Sequence, residues 1–501
     1  MKIVIIGAGI GGLASACRLQ CQGHQVTVLD KQNQPGGRAA VFRQAGFTFD
    51  AGPTIITAPH LIQEVFQACH RNAHDYLQLI KLKPFYNVRF EDGSQFRYSD
   101  NEADLIEQIR NFNPADVAGY RRFYQASKAV FEKGLPLMEQ PFLSPIDMLK
   151  VAPDMVQLQS FQTVAGFVNQ YIQEPRLRQV FSFHPLLIGG NPYQTTSIYA
   201  MIHQLEQAYG VWFAKGGTGA LVKAFVQLLS ELGGELQLQK EVHQILVDEN
   251  TQTATGVQLT SGECLHADII ISNGDVALTY RDLIDSRHRR RYTDDAIGRM
   301  RYSPSLFVLY FGTNRRYEDM AHHEILLNRR YRDWVRDLFR GRSLPADFSL
   351  YLHRPTATDP SLAPPGCDAW YVLAPVPNLD SETPWEAVSE PYQKRLLAYL
   401  ETHYLPNLTG HIVTQRSIDP RHFRTQLNSY KGSAFSLQPT LFQSAWFRPH
   451  NRSEEIANLY FVGAGTHPGA GIPGVLSSAK IVAAIIGATG QQEGPKHTYS
   501  S

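Results

Sequence analysis

The chain has 501 residues, with 47 Lys and Arg against 46 Asp and Glu, for a net charge of +1. A hydrophobic share of 43% and a charged share of 19% are those of a globular protein, and nothing points to a nucleic-acid partner. No apolar run reaches the ~18 residues of a membrane span, and neither HExxH nor a paired CxxC marks a metal site.

The first forty residues organise the rest. Ile3-Val4-Ile5-Ile6 reads as a buried parallel strand. Gly7, Gly9 and Gly12 then carry the G-x-G-x-x-G spacing, with Gly11 between, and residues 13–20 continue as a helix. Residues 25–29 form a second strand closed by Asp30. In this arrangement Gly7 makes the tight turn, Gly9 lets backbone approach a pyrophosphate, and Gly12 lets helix and strand pack. The helix N-terminus offers free N–H groups to the phosphate, and Asp30 can accept from ribose hydroxyls. Lys2 and the apolar run before Leu13-Ala14-Ser15-Ala16-Cys17 imitate a lipoprotein leader, but cleavage there would destroy the nucleotide site.

Further along, a helix is expected over residues 59–69. Tyr86-Asn87-Val88-Arg89-Phe90 is a strand, and Glu91-Asp92-Gly93-Ser94 a hairpin turn. Residues 101–210 read as mainly helical. Within them, residues 135–153 are apolar and broken by Pro136, Pro141 and Pro145. Met155, Leu158, Phe161, Val164, Val168 and Ile172 then recur at helical spacing, as a core-facing helix or as a membrane-dipping face near Lys133 and Lys150. Residues 184–192 form a loop suited to a tunnel wall. A helix is expected over 220–232, strands over 235–238 and 242–247, and 256–259 with 267–273 continuing a sheet. Residues 288–291 suggest a basic, solvated helix. Strands at 305–311, 348–352 and 371–374 suggest an antiparallel substrate sheet covered by a helix at 392–404. His322, His323 and His353 read as structural or surface residues. The strand Leu459-Tyr460-Phe461-Val462 leads into a Gly/Pro-rich loop at 463–474 and a helix over 475–486. The five cysteines, Cys17, Cys21, Cys69, Cys264 and Cys367, are scattered, which suits a reducing compartment and gives no disulfide framework.

Pro35-Gly36-Gly37-Arg38 resembles the FAD-binding extension of amine oxidases and carotenoid desaturases. With residues 47–54, 181–184, 189–192, 210–213, 306–312, 443–452 and 463–478, the chain resembles the bacterial-type phytoene desaturases almost end to end. The last two stretches are the most specific. The resemblance implies an α/β fold: a Rossmann-like FAD-binding domain of the glutathione-reductase/amine-oxidase type, an interleaved substrate domain and a helical membrane-facing part. The FAD domain would take 1–70, 211–285 and 446–490, the substrate sheet 71–100 and 286–445, the helical region 101–210, and a disordered tail 491–501. The resemblance places FAD against Gly7, Gly9, Gly11, Gly12, Asp30, Gly37, Arg38, Val242, Gly463, Gly465, Gly474 and Val475. N–H groups of the C-terminal loop would stabilise the reduced flavin. Asp147 stands where the family has an acid discussed as a catalytic participant. The implied reaction is hydride and proton removal from phytoene, with oxygen or a quinone as acceptor and NAD not required, in a cytoplasmic protein attached peripherally to the membrane. A C30 or partial desaturase, a carotenoid isomerase, and a non-enzymatic prenyl-lipid binder on the same fold are the alternatives.

Overall fold

The computed structural model describes residues 1–341 and 343–492. Its first layer is a parallel sheet in the order Leu459–Phe461, Ile269–Ser272, Lys2–Ile6, Gln25–Asp30, Glu235–Leu238. The central strands are nearly all Ile, Val and Leu because both faces are covered, one by helices and the other by a small antiparallel sheet with helix Val276–Leu283. On one face Ile10–Cys21 packs between Ile472–Gln492 and Thr218–Glu231. Leu13, Ala14, Cys17 and Leu19 are fully buried there. Truncating Leu13 to Ala would cost about 2–5 kcal/mol.

The stretches at 256–259 and 267–273 do not continue one sheet as expected. Thr253–Leu259 lies in a three-stranded antiparallel sheet with Val242–Asp248 and Cys264–His266. Ile269–Ser272 joins the parallel sheet instead, because four consecutive buried residues can only sit in a strand covered on both sides.

A seven-stranded sheet runs Ile412–Ile418, Ser305–Thr313, Asp368–Val376, Leu350–His353, His323–Leu327, Tyr86–Phe90, Gln95–Tyr98. Every pairing is antiparallel except that of His323–Leu327 with Tyr86–Phe90. Gly93, at φ 86°, makes the hairpin turn between the last two strands.

A helical layer lies between these sheets. Asp116–Leu137 packs along Met201–Tyr209. Pro136 sits inside the end of the first helix, and Pro145 begins the next, Pro145–Gln157, where its missing N–H costs nothing. The apolar stripe from Met155 to Ile172 is not one helix. Gln159 turns the chain in a left-handed conformation, and Thr163 caps a new helix, Val164–Asn169, by accepting from the Gly166 N–H at 3.0 Å. Val164, Val168 and Ile172 are buried, whereas Phe161 is exposed.

Two other expectations change. His288 ends a single 3-10 turn, Ser286–His288, and residues 289–291 form no helix; Arg289 is buried on Asp294 at 2.7 Å, and Arg291 pairs with Glu454 at 2.8 Å. His322, His323 and His353 are all buried. Cys21 and Cys69, 48 residues apart, form a disulfide with Cα atoms 5.3 Å apart, a pairing that no sequence spacing announced. The segment expected as a disordered tail falls, from residue 493, outside the described residues.

Candidate active site

The three layers enclose one cavity of about 1340 Å³. That exceeds the ~300–1,000 Å³ of ordinary small-molecule pockets. One end is walled by backbone. Gly7, Gly9, Gly11, Asp30, Gly37, Arg38, Val242, Gly463, Gly474 and Val475 line it, drawn together from four separate stretches of chain.

The local geometry explains the glycines. Gly7 has φ 99° and turns the chain off the first strand. A Cβ on Gly9 would fall 2.8 Å from Asn273 Nδ2, and one on Gly11 would fall 2.6 Å from Asn273 Oδ1. Gly12 does not line the cavity. Its Cβ would lie 2.1 Å from the Gly7 carbonyl, so it serves helix–strand packing alone. Gly465 is also set back from the cavity, against Val276. The Gly36 N–H donates to the Ala8 carbonyl at 2.9 Å, docking the Gly-Gly-Arg loop beside the first turn.

Asp30 accepts from the N–H groups of Ala8 at 2.7 Å and Gln32 at 2.8 Å, which aims its carboxylate at the cavity with lone pairs to spare. Burial raises its pKa, and the two backbone N–H groups oppose the rise. Arg38 donates to Ser429 through Nη2, while its Nε has no partner. Facing it electrostatically is Asp275, buried, with Oδ2 unpartnered and its pKa raised by burial against the lowering effect of Arg38. Both residues line the cavity. Unpaired buried polar atoms at a cavity wall, beside two helix N-termini at Ile10 and Ile472, suit a polar, phosphate-bearing ligand.

Asn273, Asp275 and Arg448 escaped the residue-by-residue reading. Asn273 donates to the Gly7 carbonyl at 3.2 Å. Arg448 is buried and donates to the carbonyls of Thr466, Ala464, Gln443 and Leu437, holding the C-terminal loop in shape. For Asn273, the only local signal was a polar residue at the end of an all-apolar strand.

Asp147 is not brought to the cavity. It is the third residue of Pro145–Gln157, accepting from the N–H groups of Ser144 at 3.1 Å and Leu143 at 3.3 Å in a capping box. It also pairs with Lys150 at 3.6 Å. The capping box accounts for an acid at this position without any chemistry nearby.

The other end of the cavity is walled by side chains: Leu186, Ile198, Met201, Ile325, Leu327, Trp334, Leu338 and Leu373 among them. Met148, Val151 and Met155, on the inner side of Pro145–Gln157, close it over. A large, mostly apolar chamber continuous with a backbone-lined, glycine-rich end fits a hydrocarbon held against a dinucleotide cofactor.

Residues 10–487 match the profile of the flavin containing amine oxidoreductases. The chain belongs to that family. It is an FAD-dependent oxidoreductase, and the backbone-lined end of the cavity fits that cofactor. Over 97% of its length it is 49% identical to the lycopene-forming phytoene desaturase of Pseudescherichia vulneris, covering 99% of that protein. The lycopene-forming phytoene desaturase of Pantoea ananas is 48% identical over 96% of this chain and 98% of its own. Among solved structures, cyclohexylamine oxidase from Brevibacterium oxydans superposes with a TM-score of 0.60 at 18% identity, covering 98% of this chain and 99% of that one. That similarity concerns the fold.

Proposed function

We propose that this flavoenzyme desaturates phytoene towards lycopene. The observation that carries the reading is the apolar chamber continuous with the nucleotide end, in a chain nearly half identical to lycopene-forming desaturases. Bound FAD would supply the hydride acceptor. The chain's own work is to hold the dinucleotide, orient the hydrocarbon and exclude water. Gly7, Gly9, Gly11 and the N-terminus of Ile10–Cys21 would take the pyrophosphate, Asp30 a ribose, Arg38 the phosphates or flavin edge, and Val242 the adenine through its backbone. Residues 463–475 would lie under the ring. Gly12 and Gly465 would support these from behind. Residues 1–70, 211–285 and 446–490 would then act as one discontinuous FAD domain. Oxygen or a quinone would remove the electrons.

The same reading makes the protein a peripheral membrane protein. Among the described residues no helix is long and apolar enough to cross a membrane. The outer side of Pro145–Gln157 nevertheless exposes Ile146, Leu149 (71%) and Val156 beside Phe161, Phe442 (73%) and Phe447. This helix packs against residues 445–447, carries Lys150 on Asp147 at 3.6 Å, and is paired by Lys133 to Asp154 at 3.1 Å. Apolar residues facing out, with Met148, Val151 and Met155 facing in, let a lipid-dissolved substrate pass from bilayer to chamber. Expression in cells that accumulate phytoene, followed by pigment chromatography, tests the function: lycopene is expected. Unchanged phytoene, from a protein that carries FAD and has lipid present, would overturn it.

A further inference from the structure

Desaturation must dispose of a proton as well as a hydride, so a role assigned to the proton's acceptor rests on the desaturase reading. As the hydride leaves, the neighbouring carbon must lose H⁺ in the same step inside a dry chamber, so the rate of flavin reduction reads both transfers. Its C–H bond breaks, and the electron pair becomes the new double bond. Asp147 is outside the chamber. Glu206 reaches the wall but is wholly buried, with its oxygens occupied by the Tyr86 hydroxyl at 2.7 Å and His184 Nε2 at 3.1 Å.

Tyr351 differs from both. It lines the chamber and keeps 9% of its surface open. Its hydroxyl lies 2.5 Å from Thr54 Oγ1 and 2.7 Å from His323 Nδ1. Thr54 also lines the cavity and ends the motif at residues 47–54. His323 is fully buried, and its ring stacks on His353 at 5.2 Å, the residue opposite it across the strand pair. His353 Nε2 lies 3.7 Å from Asp50 Oδ2. His323 Nε2 and both ring nitrogens of His353 have no hydrogen-bond partner, which is unusual for buried polar atoms.

We propose that Tyr351 is a catalytic residue that takes the substrate proton, and that His323 is the base behind it. With Thr54 donating to the Tyr351 oxygen, Tyr351 donates to His323 Nδ1, and one lone pair faces the substrate. The carbon-bound proton passes to the Tyr351 oxygen as the phenolic proton moves to His323. The imidazolium formed stacks on His353, whose Nε2 lies 3.7 Å from Asp50 Oδ2, and on product release the proton returns through the Tyr351 hydroxyl to entering water before the next cycle. Burial holds His323 well below the usual histidine range, so it starts neutral. It places the Asp50 carboxyl at about 7, within reach of either protonation state.

The test is anaerobic reduction of the bound flavin by phytoene in liposomes, in H₂O and D₂O, with FAD content and melting temperature measured on each variant. Tyr351→Phe keeps the ring and should slow reduction by ~10²–10⁴-fold, the usual worth of general-base help, with KM and FAD content unchanged. His323→Asn keeps an acceptor for the Tyr351 hydroxyl but cannot take a proton, and should slow reduction comparably. The wild-type rate should fall in D₂O, and Tyr351→Phe should lose that sensitivity. A merely structural pair would lower melting temperature and FAD content without touching the isotope effect. Wild-type reduction rates in folded Tyr351→Phe would overturn the pair alone, while a wild-type protein that phytoene cannot reduce would overturn the desaturase reading with it. His322, His323 and His353 also place ligand nitrogens within 4.8 Å of one another. Stoichiometric metal in the purified protein, lost in His323→Asn, would overturn the relay by making these nitrogens ligands.

Discussion

The two ends of the cavity are built from different materials. The nucleotide end is backbone: glycines, helix N-termini and carbonyls, with a few charged side chains aimed by N–H groups. The hydrocarbon end is side chain, contributed by the helical layer, the seven-stranded sheet and helix Pro145–Gln157, which lies over it as a lid. A dinucleotide presents fixed charges that must be met at fixed positions, so one added methyl is too much. A hydrocarbon asks only for volume and dryness, which many residue combinations supply.

The sharpest way to break this contrast is Gly9→Val. The new Cβ would press on Asn273 and its branches would enter the pyrophosphate's place. Overpacking of ~1–3 kcal/mol together with lost phosphate contacts predicts a protein that is folded but colourless. Stoichiometric flavin absorbance in the purified variant would refute the assignment.

The lid should behave in the opposite way, tolerating change locally while failing at the membrane. Leu149→Lys with Phe442→Lys leaves melting temperature and FAD content within ~0.5 kcal/mol of wild type, because both side chains are exposed. Liposome flotation should drop by ~10-fold or more as two apolar anchors become charges. Equal flotation would remove this face from the membrane contact.

A smaller effect separates buried charge at the sheet junction from solvent-exposed charge. Burial raises Asp50 to about 7, above its unfolded value, so the folded state holds a proton that the unfolded state has released. Stability from this group is therefore full below the unfolded pKa of ~3.9 and declines as pH rises towards about 7. Asp50→Asn should flatten the fall in melting temperature between those values, and an unchanged slope would contradict it. Smallest of all is Asp147→Asn. It should cost ~0.5–2 kcal/mol of lid-helix stability and change the rate of flavin reduction by less than ~3-fold. A loss of ~10²-fold or more would restore Asp147 as the base.

Much of this was legible in the chain itself, and the division follows the two materials. Gly7, Gly9, Gly11, Asp30, Gly37 and Arg38 could be named because a positive φ, a close approach or a strand-ending acid leaves a local trace. The parallel strands announced themselves as apolar runs for the same reason. The break at Gln159, the Cys21–Cys69 bond and the separation of 253–259 from 269–272 were decided only by packing. So was the meeting of Tyr351, His323, His353 and Asp50, which lie up to some three hundred residues apart and whose local sequence is that of ordinary strands. Backbone requirements are written at single positions, so sequence alone determined the glycines and the strand-ending acid of the backbone-lined end. Side-chain proximity arises from the cross-strand register of a mixed sheet, and tertiary structure alone determined which side chains meet at the apolar end.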